Sequence, residues 1–149
     1  MKLQLIAVGS LKSLALKELW DTYKKRLLWS LEITEVPASK VGDKFQEAQN
    51  ILKVLNPQSF LVILDEKGEN ISTVNFASFI EKHHLLGTKQ MSFLIGGADG
   101  IEDSLKKKAD RMFSFGAQTW PHDFVRILLI EQIYRVQQIL NHHPYHRGS

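Results

Sequence analysis

The stretch that decides the fold is Ile95 to Arg147, which holds four segments: IGGADG (95–100), MFSFG (112–116), AQTWPHDFVRILLIEQIYRVQQIL (117–140) and HHPYHR (142–147). The first segment follows an apolar run, Met91 to Ile95, of the kind that forms a buried strand. Its glycines allow the backbone to turn and to come close to a ligand. The third segment predicts a long, largely apolar helix, and the last is a polar tail. Together these features favour an enzyme that is completed by a second copy of itself.

Upstream of this stretch, apolar runs alternate with helical patterns. Strands are predicted at residues 3–8, 31–36, 60–64, 91–95 and 112–115. Helices are predicted from Ser13, from Asp43 to Leu55, from Ser72 or Thr73 to Leu85, from Asp103 for about ten residues, and from Asp123 to Leu140. Between the third strand and third helix, Asp65 to Gly68 is predicted to turn the chain. Apolar strands joined by helical crossovers predict a single α/β domain over residues 1–149, with a mainly parallel sheet and helices on both faces.

The composition excludes several classes of protein. The 149 residues are 44% hydrophobic and 23% charged, and they contain no cysteine, so neither a disulfide framework nor a thiolate metal site is expected. No apolar run approaches the roughly 20 residues that a membrane span needs. The start, MKLQLIAVGS, predicts a strand and not a signal peptide, and a cytoplasmic location is expected. The net charge of +3 favours an anionic partner, although the lysines at 24–25 and 106–108 are explained as well by solvated helix faces.

Three predicted strands end in residues that suit a ligand site, and ligands of parallel α/β sheets bind beyond the carboxyl ends of strands. These ends are Leu64-Asp65-Glu66, Ile95-Gly96-Gly97 and Phe115-Gly116-Ala117. The glycines come late in the chain, and neither a GxGxxG nor a Walker A sequence is present. The sequence therefore disfavours binding of a dinucleotide or of ATP in the usual manner.

Four ordered motifs, IGGADG, FGAQTWPH (115–122), VRILLIEQIYR (125–135) and HHPYHR, closely resemble those of the ribosomal RNA large subunit methyltransferase H family, which belongs to the SPOUT class. The segments AVG (7–9) and VILDEKG (62–68) extend the resemblance over the whole chain. It implies a C-terminal trefoil knot within about residues 91–141, S-adenosylmethionine as cofactor, and an antiparallel homodimer. It also implies methylation of N3 of a pseudouridine in a hairpin loop of large-subunit ribosomal RNA, on the assembled ribosome.

The resemblance also carries candidate site residues. The cofactor would be held by Leu64, Gly96, Phe115, Gly116, Ala117, Gln118, Thr119 and Trp120. Gly96 could instead serve an ordinary turn, and Leu64 could also be a core residue. Catalytic or substrate-binding roles fall on Arg135, Tyr145, His146 and Arg147. Tyr145 could stack on an RNA base, and His146 could act as a general base in proton transfer. Either arginine could bind phosphate or stabilise an RNA base that has become anionic. Alternatively, Arg135 simply pairs with Glu131, four residues before it.

The expected dimer depends on the last helix and the tail. In Phe124 to Leu140, 11 of 17 residues are apolar or tyrosine, which suggests more apolar surface than one domain can cover. The alternative is a helix that is buried in its own domain. Pro144 stiffens the tail, so residues 142–149 are not expected to fold straight back along their own helix. They are expected to meet the partner's pocket.

Other interpretations remain open at this point. Three histidines within residues 142–146 could hold a metal, but Pro144 interrupts them and no carboxylate is adjacent, so no metal site is expected. His122 is expected to cap the last helix or to pack in its loop. A non-catalytic ribosome-binding factor of the same fold is the alternative function, which the glycine loop disfavours because a binder needs no cofactor pocket. A flavodoxin-like mononucleotide protein is the third.

Overall fold

The computed structural model describes residues 1–40 and 43–146, which form one sheet of five strands flanked by five helices. In chain order the elements are β1 (Lys2–Val8), α1 (Leu14–Arg26), β2 (Leu31–Val36), α2 (Lys44–Val54), β3 (Phe60–Asn70), α3 (Thr73–Leu85), β4 (Gln90–Ile95), α4 (Asp103–Lys108), β5 (Arg111–Ser114) and α5 (His122–Leu140). The strand order is β2-β1-β4-β3-β5, and every neighbouring pair is parallel, which confirms the predicted sheet. This order differs from the flavodoxin order 2-1-3-4-5, so the flavodoxin-like alternative is wrong.

Helices cover both faces of the sheet, as predicted. The first face packs against α1, α3 and α5, and the second packs against α2 and α4. In β3, Val62 and Leu64 point to the first face, whereas Leu61 and Ile63 point to the second. All four side chains are buried. A strand that is buried on both faces needs a continuous apolar sequence, which is what residues 60–64 supply.

The predicted helix starts are confirmed by their caps. The side chains of Ser13, Asp43 and Ser72 each accept a hydrogen bond from the backbone N–H three residues later. Such a bond satisfies one of the N–H groups that a helix start leaves unpaired. Gly87 lies just beyond the end of α3 and adopts a φ of +77°, the left-handed conformation that terminates many helices.

The helix α4 is shorter than predicted, with 6 residues where about ten were expected. It ends early because Asp110 is bonded to β3. The Asp110 N–H donates to the Leu61 carbonyl, and Asp110 Oδ2 accepts from the Leu61 N–H, both at 2.8 Å. These bonds fix the start of β5 at Arg111, one residue before the predicted start.

The predicted turn at Asp65 to Gly68 lies inside β3, which continues to Asn70. Leu64 and Glu69 both pair with Phe113, so residues 65–68 leave the pairing with β5. Their local geometry is turn-like, because the Lys67 N–H donates to Asp65 Oδ1 at 2.9 Å. A Cβ at Gly68 would lie 2.7 Å from the Phe113 carbonyl carbon, so this close approach to β5 needs glycine. The segment was therefore correctly assigned as irregular but wrongly assigned as the end of the strand.

The apolar sequence of α5 is explained largely by burial within its own chain. Six of its eleven apolar or tyrosine residues are buried: Ile127, Leu129, Ile130, Ile133, Tyr134 and Val136. Among these eleven residues, Phe124 is the exposed one, at 46%. The expectation that one chain cannot cover this helix is therefore wrong, and the alternative of a central helix is correct for most of its length.

The start of the tail folds back along α5, which also contradicts the sequence-based expectation. His142 adopts a φ of 56°, and the N–H groups of His142 and His143 donate to the carbonyls of Ile139 and Gln138. This pair of bonds around a left-handed residue is the Schellman motif, which reverses the chain direction at a helix end. Residues 143–146 then return toward the middle of α5. The trefoil knot that the resemblance implies stays a prediction.

Candidate active site

A cleft of about 370 Å³ opens at the carboxyl edge of the sheet, between the ends of β3 and β4. One wall is the β3 segment from Leu64 to Lys67, and the other is the glycine loop at residues 95–101. Lys106, Thr119, His122 and Val125 complete the lining. A smaller pocket of about 60 Å³ shares residues 64–66 and Val125 with the cleft and continues toward Phe115 and Trp120. The volume of the cleft is in the range of small-molecule sites.

The glycine loop is closed by its own backbone. Gly97 and Gly100 form an isolated antiparallel bridge, and the Gly100 N–H donates to the Gly97 carbonyl at 3.0 Å. A Cβ at Gly96 would lie 2.6 Å from Ile101 Cγ1 and 3.2 Å from the backbone of Gly100. Gly96 is therefore needed for the turn itself and also lines the cleft, while its role in cofactor binding stays a prediction.

The loop after β5 closes the opposite side of the site. The Trp120 Nε1–H donates to the Phe115 carbonyl at 3.4 Å, which folds residues 115–120 into a compact loop. The Thr119 hydroxyl donates to Glu66 Oε2 at 2.6 Å and so ties this loop to the end of β3. Gly116 adopts a φ of +114°, a backbone conformation that favours glycine.

The structure brings most of the predicted cofactor residues together. Leu64, Gly96 and Thr119 line the cleft, and Leu64 also lines the smaller pocket with Phe115, Gly116, Gln118 and Trp120. Ala117 lies in the same loop and is exposed to solvent, outside both linings. Three strand ends that are far apart in sequence thus form one site, as expected for a parallel sheet.

Charged residues that were missing from the predicted site also line the cleft. Asp65 and Glu66 follow the end of the apolar run, and Lys106 Nζ lies 3.4 Å from Asp65 Oδ2. Leu64, Ile95 and Val125 supply the apolar part of the surface. The arrangement suits a ligand that has an apolar ring system together with polar and positively charged groups. The sequence signal was the Asp-Glu pair at a strand end, whereas Lys106 was assigned to a solvated helix face.

Three of the four predicted catalytic residues lie together at the middle of α5. Glu131 Oε1 accepts hydrogen bonds from Arg135 Nε at 3.0 Å and Nη2 at 2.7 Å, so the alternative i,i+4 ion pair is present. The Tyr145 hydroxyl donates to the same oxygen at 3.2 Å, and the Arg135 guanidinium lies 4.8 Å from the centre of the Tyr145 ring. His146 Nδ1 is 3.4 Å from Arg135 Nη1. Arg147 lies outside the described residues.

The protonation states in this cluster follow from its contacts. The hydrogen bonds that Arg135 donates to Glu131 raise the pKa of Arg135, so the guanidinium stays charged. Burial is the main cause that raises the pKa of Tyr145 to about 12, followed by its bond with Tyr23 and the charge of Glu131. Tyr145 is therefore a neutral donor at physiological pH. His146 Nε2 is buried and has no hydrogen-bond partner among the described residues.

The cluster and the cleft are separated along α5. Val125 lines the cleft, and Arg135 follows it by ten residues. At a rise of about 1.5 Å per residue, the two side chains leave the helix about 15 Å apart along its axis. None of the three cluster residues lines the cleft or the smaller pocket of the same chain.

His122 and the tail histidines have other surroundings than expected. The N-cap of α5 is Pro121, without a side-chain cap, so the expected capping role of His122 is wrong. The Nε2 atom of His122 lies 3.5 Å from Asp123 Oδ1, and His122 lines the cleft.

Within residues 1–40 and 43–146, no cluster of three or more histidine or acidic side chains could hold a metal ion. In the same part of the chain, no helix has the length and apolar composition that a membrane crossing requires.

Comparison with known proteins identifies the class. The family model described as "Predicted SPOUT methyltransferase" matches residues 1–146. A probable methylase family protein from Haemophilus influenzae shares the fold, with a TM-score of 0.55, 12% identity, and coverage of 94% of this chain and 66% of that chain. The α/β fold is thus that of the SPOUT class of methyltransferases.

Curated relatives define the family within that class. The ribosomal RNA large subunit methyltransferase H of Beijerinckia indica is 43% identical over 99% of this chain and 100% of its own length. The proteins of the same name from a Bradyrhizobium species and from Rhodospirillum centenum are 41% and 40% identical, each over 99% of this chain and 99% and 100% of their own lengths. This chain belongs to the ribosomal RNA large subunit methyltransferase H family, as its motifs predicted.

Proposed function

We propose that this protein is an S-adenosylmethionine-dependent methyltransferase that methylates N3 of a pseudouridine in a hairpin loop of large-subunit ribosomal RNA, on the assembled ribosome. The observation that carries the proposal is the cleft at the carboxyl edge of the sheet, built from the family motifs in a chain that matches its relatives over the full length. The names of those relatives supply the ribosomal RNA of the large subunit as substrate. Pseudouridine N3 and the assembled ribosome come from the family resemblance.

The residues of the cleft fit the proposed cofactor. Leu64, Ile95 and Val125 offer an apolar surface for an adenosine, and the backbone of the glycine loop offers hydrogen-bonding groups beside it. Glu66 adds a carboxylate at the mouth of the cleft, where it complements a ligand with positively charged groups. When bound, S-adenosylmethionine supplies a methyl group on a positively charged sulfur.

The cluster on α5 has the properties that the RNA side of the reaction requires. The N3 position of a pseudouridine is mostly protonated at neutral pH, so a nearby cation that stabilises the deprotonated ring promotes the transfer. Arg135 carries that charge, and Tyr145 places an aromatic ring beside it. In the described arrangement His146 Nδ1 faces Arg135 and Nε2 is buried without a partner among the described residues, which favours electrostatic support over a role as general base.

We also propose that the active site is shared between two subunits of a homodimer. The support is the position of the cluster on α5, where Glu131 and Arg135 lie six and ten residues beyond Val125, or about 9 and 15 Å along the helix axis. In an antiparallel dimer the cluster of one subunit can approach the cleft of the other. The contact is isologous, so it forms two equivalent sites.

The test of the function begins with binding. Calorimetry with S-adenosylmethionine should show one site per chain, and Glu66→Gln should weaken binding about tenfold, since a charge-assisted contact contributes about 1.4 kcal/mol or more. Glu81→Gln, which removes an equal charge from an exposed position on α3, should bind like the wild type. Absence of binding by the wild-type protein would favour the non-catalytic ribosome-binding factor.

The second arm tests the substrate. Assembled ribosomes and the isolated hairpin, each with uridine or pseudouridine at the target, are incubated with labelled cofactor, and the product is located by mass mapping. We expect one methyl group at N3 of pseudouridine, on assembled ribosomes only. A chain of 149 residues with a net charge of +3 relies on the shape of a large particle, because attraction to phosphate alone is non-specific. Efficient methylation of the hairpin would overturn the ribosome requirement.

The third arm tests the shared site by mixing two inactive variants. Gly96→Val disrupts the glycine loop, and Arg135→Ala removes the cation of the cluster. If sites are shared, the heterodimer regains one complete site, from the cleft of the Arg135→Ala subunit and the cluster of the Gly96→Val subunit. If subunit exchange is verified and the mixture stays inactive, each cluster serves its own chain.

A further inference from the structure

The carboxylate of Glu131 collects more side-chain hydrogen bonds than any other group around the α5 cluster. Its Oε1 accepts from Arg135 Nε, Arg135 Nη2 and the Tyr145 hydroxyl, and its Oε2 accepts from Gln132 Nε2 at 2.8 Å. Gln132 Oε1 in turn accepts from the Thr73 hydroxyl at 2.8 Å, which fixes the network to the start of α3. Gln132 thus holds one oxygen of the Glu131 carboxylate, and the other oxygen holds Arg135 and Tyr145.

These bonds restrict both the direction and the freedom of Arg135. With Nε and Nη2 committed to Glu131, the guanidinium presents its Nη1 edge toward His146. Its face lies over the ring of Tyr145, and that ring also packs edge-on against Tyr134, at 4.8 Å between centroids. A long arginine side chain otherwise loses much rotamer entropy when a ligand immobilises it. Here that ordering is completed before any ligand binds.

From this geometry we infer that Glu131 is a positioning residue, which holds Arg135 and Tyr145 as one unit in the orientation that engages the RNA base. The inference rests on the proposed function, because it assigns the unit to the substrate side of that reaction. Glu131 itself need not contact the substrate or the cofactor. An i,i+4 ion pair alone would stabilise the helix slightly, but it would not explain why the same oxygen also binds the tail.

The inference separates substrate handling from cofactor binding. Glu131 directs its carboxylate to Gln132, Arg135 and Tyr145, and it lines neither the cleft nor the smaller pocket. Loss of its charge should therefore leave cofactor affinity unchanged. A displaced guanidinium should lower kcat/KM on ribosomes by about tenfold to a hundredfold, the usual effect of a misplacement near 1 Å.

The test uses Glu131→Gln, with Glu81→Gln as the control that removes an equal charge from α3. Glu131→Asp, which keeps the charge on a shorter side chain, should restore part of the loss. Glu131→Gln combined with Arg135→Ala should be no worse than Arg135→Ala alone, because Glu131 acts through Arg135. If the losses of the two variants multiply, Glu131 does not act through Arg135 and the inference is wrong.

A second readout does not depend on activity. The chain has three tyrosines, so the ultraviolet absorbance of phenolate, compared with that of Tyr145→Phe, reports the ionisation of Tyr145. The groups that contact this phenol or its ring are Glu131, Arg135, Tyr134 and Tyr23. His143 accepts a hydrogen bond from the Tyr145 backbone N–H, and His146 contacts Arg135. The pKa of Tyr145, raised to about 12 in the wild type, should fall in Glu131→Gln, since the charge and the hydrogen bond of Glu131 both help to raise it.

The outcomes distinguish a failure of the proposed function from a failure of the positioning role of Glu131. If wild-type protein does not methylate ribosomes, the proposed function fails, whereas the tyrosine titration still reports whether Glu131 holds the tail. If wild-type protein is active and Glu131→Gln matches it in kcat/KM, the positioning role is wrong. An unchanged Tyr145 pKa in Glu131→Gln would also overturn it, because the tail would then not be held by this carboxylate.

Discussion

A buried arginine at the start of α5 permits a quantitative prediction about stability. Arg126 is 1% exposed, and its Nη1 donates to Glu35 Oε2 at 2.7 Å while Nη2 donates to the Gly9 carbonyl at 3.1 Å. Among the described residues its Nε has no partner. These bonds connect α5 to the carboxyl ends of β1 and β2. Val125, the neighbour of Arg126, lines the cleft, so the ion pair also fixes one wall of the site.

The two halves of this ion pair should differ in the cost of their removal. Glu35→Ala leaves a buried guanidinium without its charge partner; such losses cost about 3–5 kcal/mol, and the 42% exposure of the Glu35 side chain argues for the lower end, about 3 kcal/mol. Arg126→Met replaces the guanidinium by an apolar group and lets Glu35 return to water. The remaining cost is a lost bond to the Gly9 carbonyl, about 1 kcal/mol.

The assay is thermal unfolding at one fixed protein concentration, because a dimer would make the midpoint depend on concentration. A change of 1 kcal/mol shifts Tm by about 2–4 °C in a chain of this size, so Glu35→Ala should lower Tm by about 6–12 °C and Arg126→Met by about 2–4 °C. Glu32→Ala is the matched control, since Glu32 lies on the same strand and its pair with Lys2 is exposed. A lower Tm for Arg126→Met than for Glu35→Ala would refute the reasoning, as would equal effects of Glu35→Ala and Glu32→Ala.

Two further predictions concern β3 and α3. Gly68→Ala should destabilise the protein by about 2 kcal/mol or more, because the new Cβ would lie 2.7 Å from the Phe113 backbone; a wild-type Tm would show that β5 can move away. Burial, then the charges of Lys82 and Arg111, lower the pKa of His83 from its ordinary value of 6.5, so the unfolded chain binds the proton more readily than the folded protein. The contribution of His83 to the free energy of unfolding should therefore be fully present above about pH 6.5 and should decline as pH falls toward the lowered pKa. Denaturant unfolding of His83→Phe across that range should lack this decline.

Local chemistry explains which parts of the fold the sequence could predict. The caps at Ser13, Asp43 and Ser72 act within three residues of the helix they start, so composition reveals them. The parallel sheet follows from apolar runs of strand length that alternate with helices. The bulge at residues 65–68 depends instead on pairing between β3 and β5, which are about fifty residues apart, and composition reads it only as a turn.

The parts of the site that belong to a sequence motif were predictable, whereas the parts that depend on a contact between distant segments were less so. The strand ends and glycines marked the cleft, but the pairing of Lys106 with Asp65 joins two segments that look like solvated surface when taken alone. The sequence signal for Arg126 is a lone charge within the apolar run Val125 to Ile130. The reversal of the tail needed His142 in a left-handed conformation, and non-glycine residues adopt it too rarely for the sequence to predict it.

The folded-back tail changes the reason for a shared site without removing it. In the proposed dimer, Tyr145 and His146 do not need an extended tail to approach the partner's cleft, because both are held on α5 and move with it. What matters is the position of the cluster along the helix, about 15 Å from the level of Val125. Two α5 helices that run antiparallel and cross near the level of residue 130 would bring Arg135 of each chain level with Val125 of the other. Parallel helices would hold each cluster away from both clefts, so the proposed shared site requires an antiparallel arrangement, and recovery of activity in the mixed dimer would support the proposal.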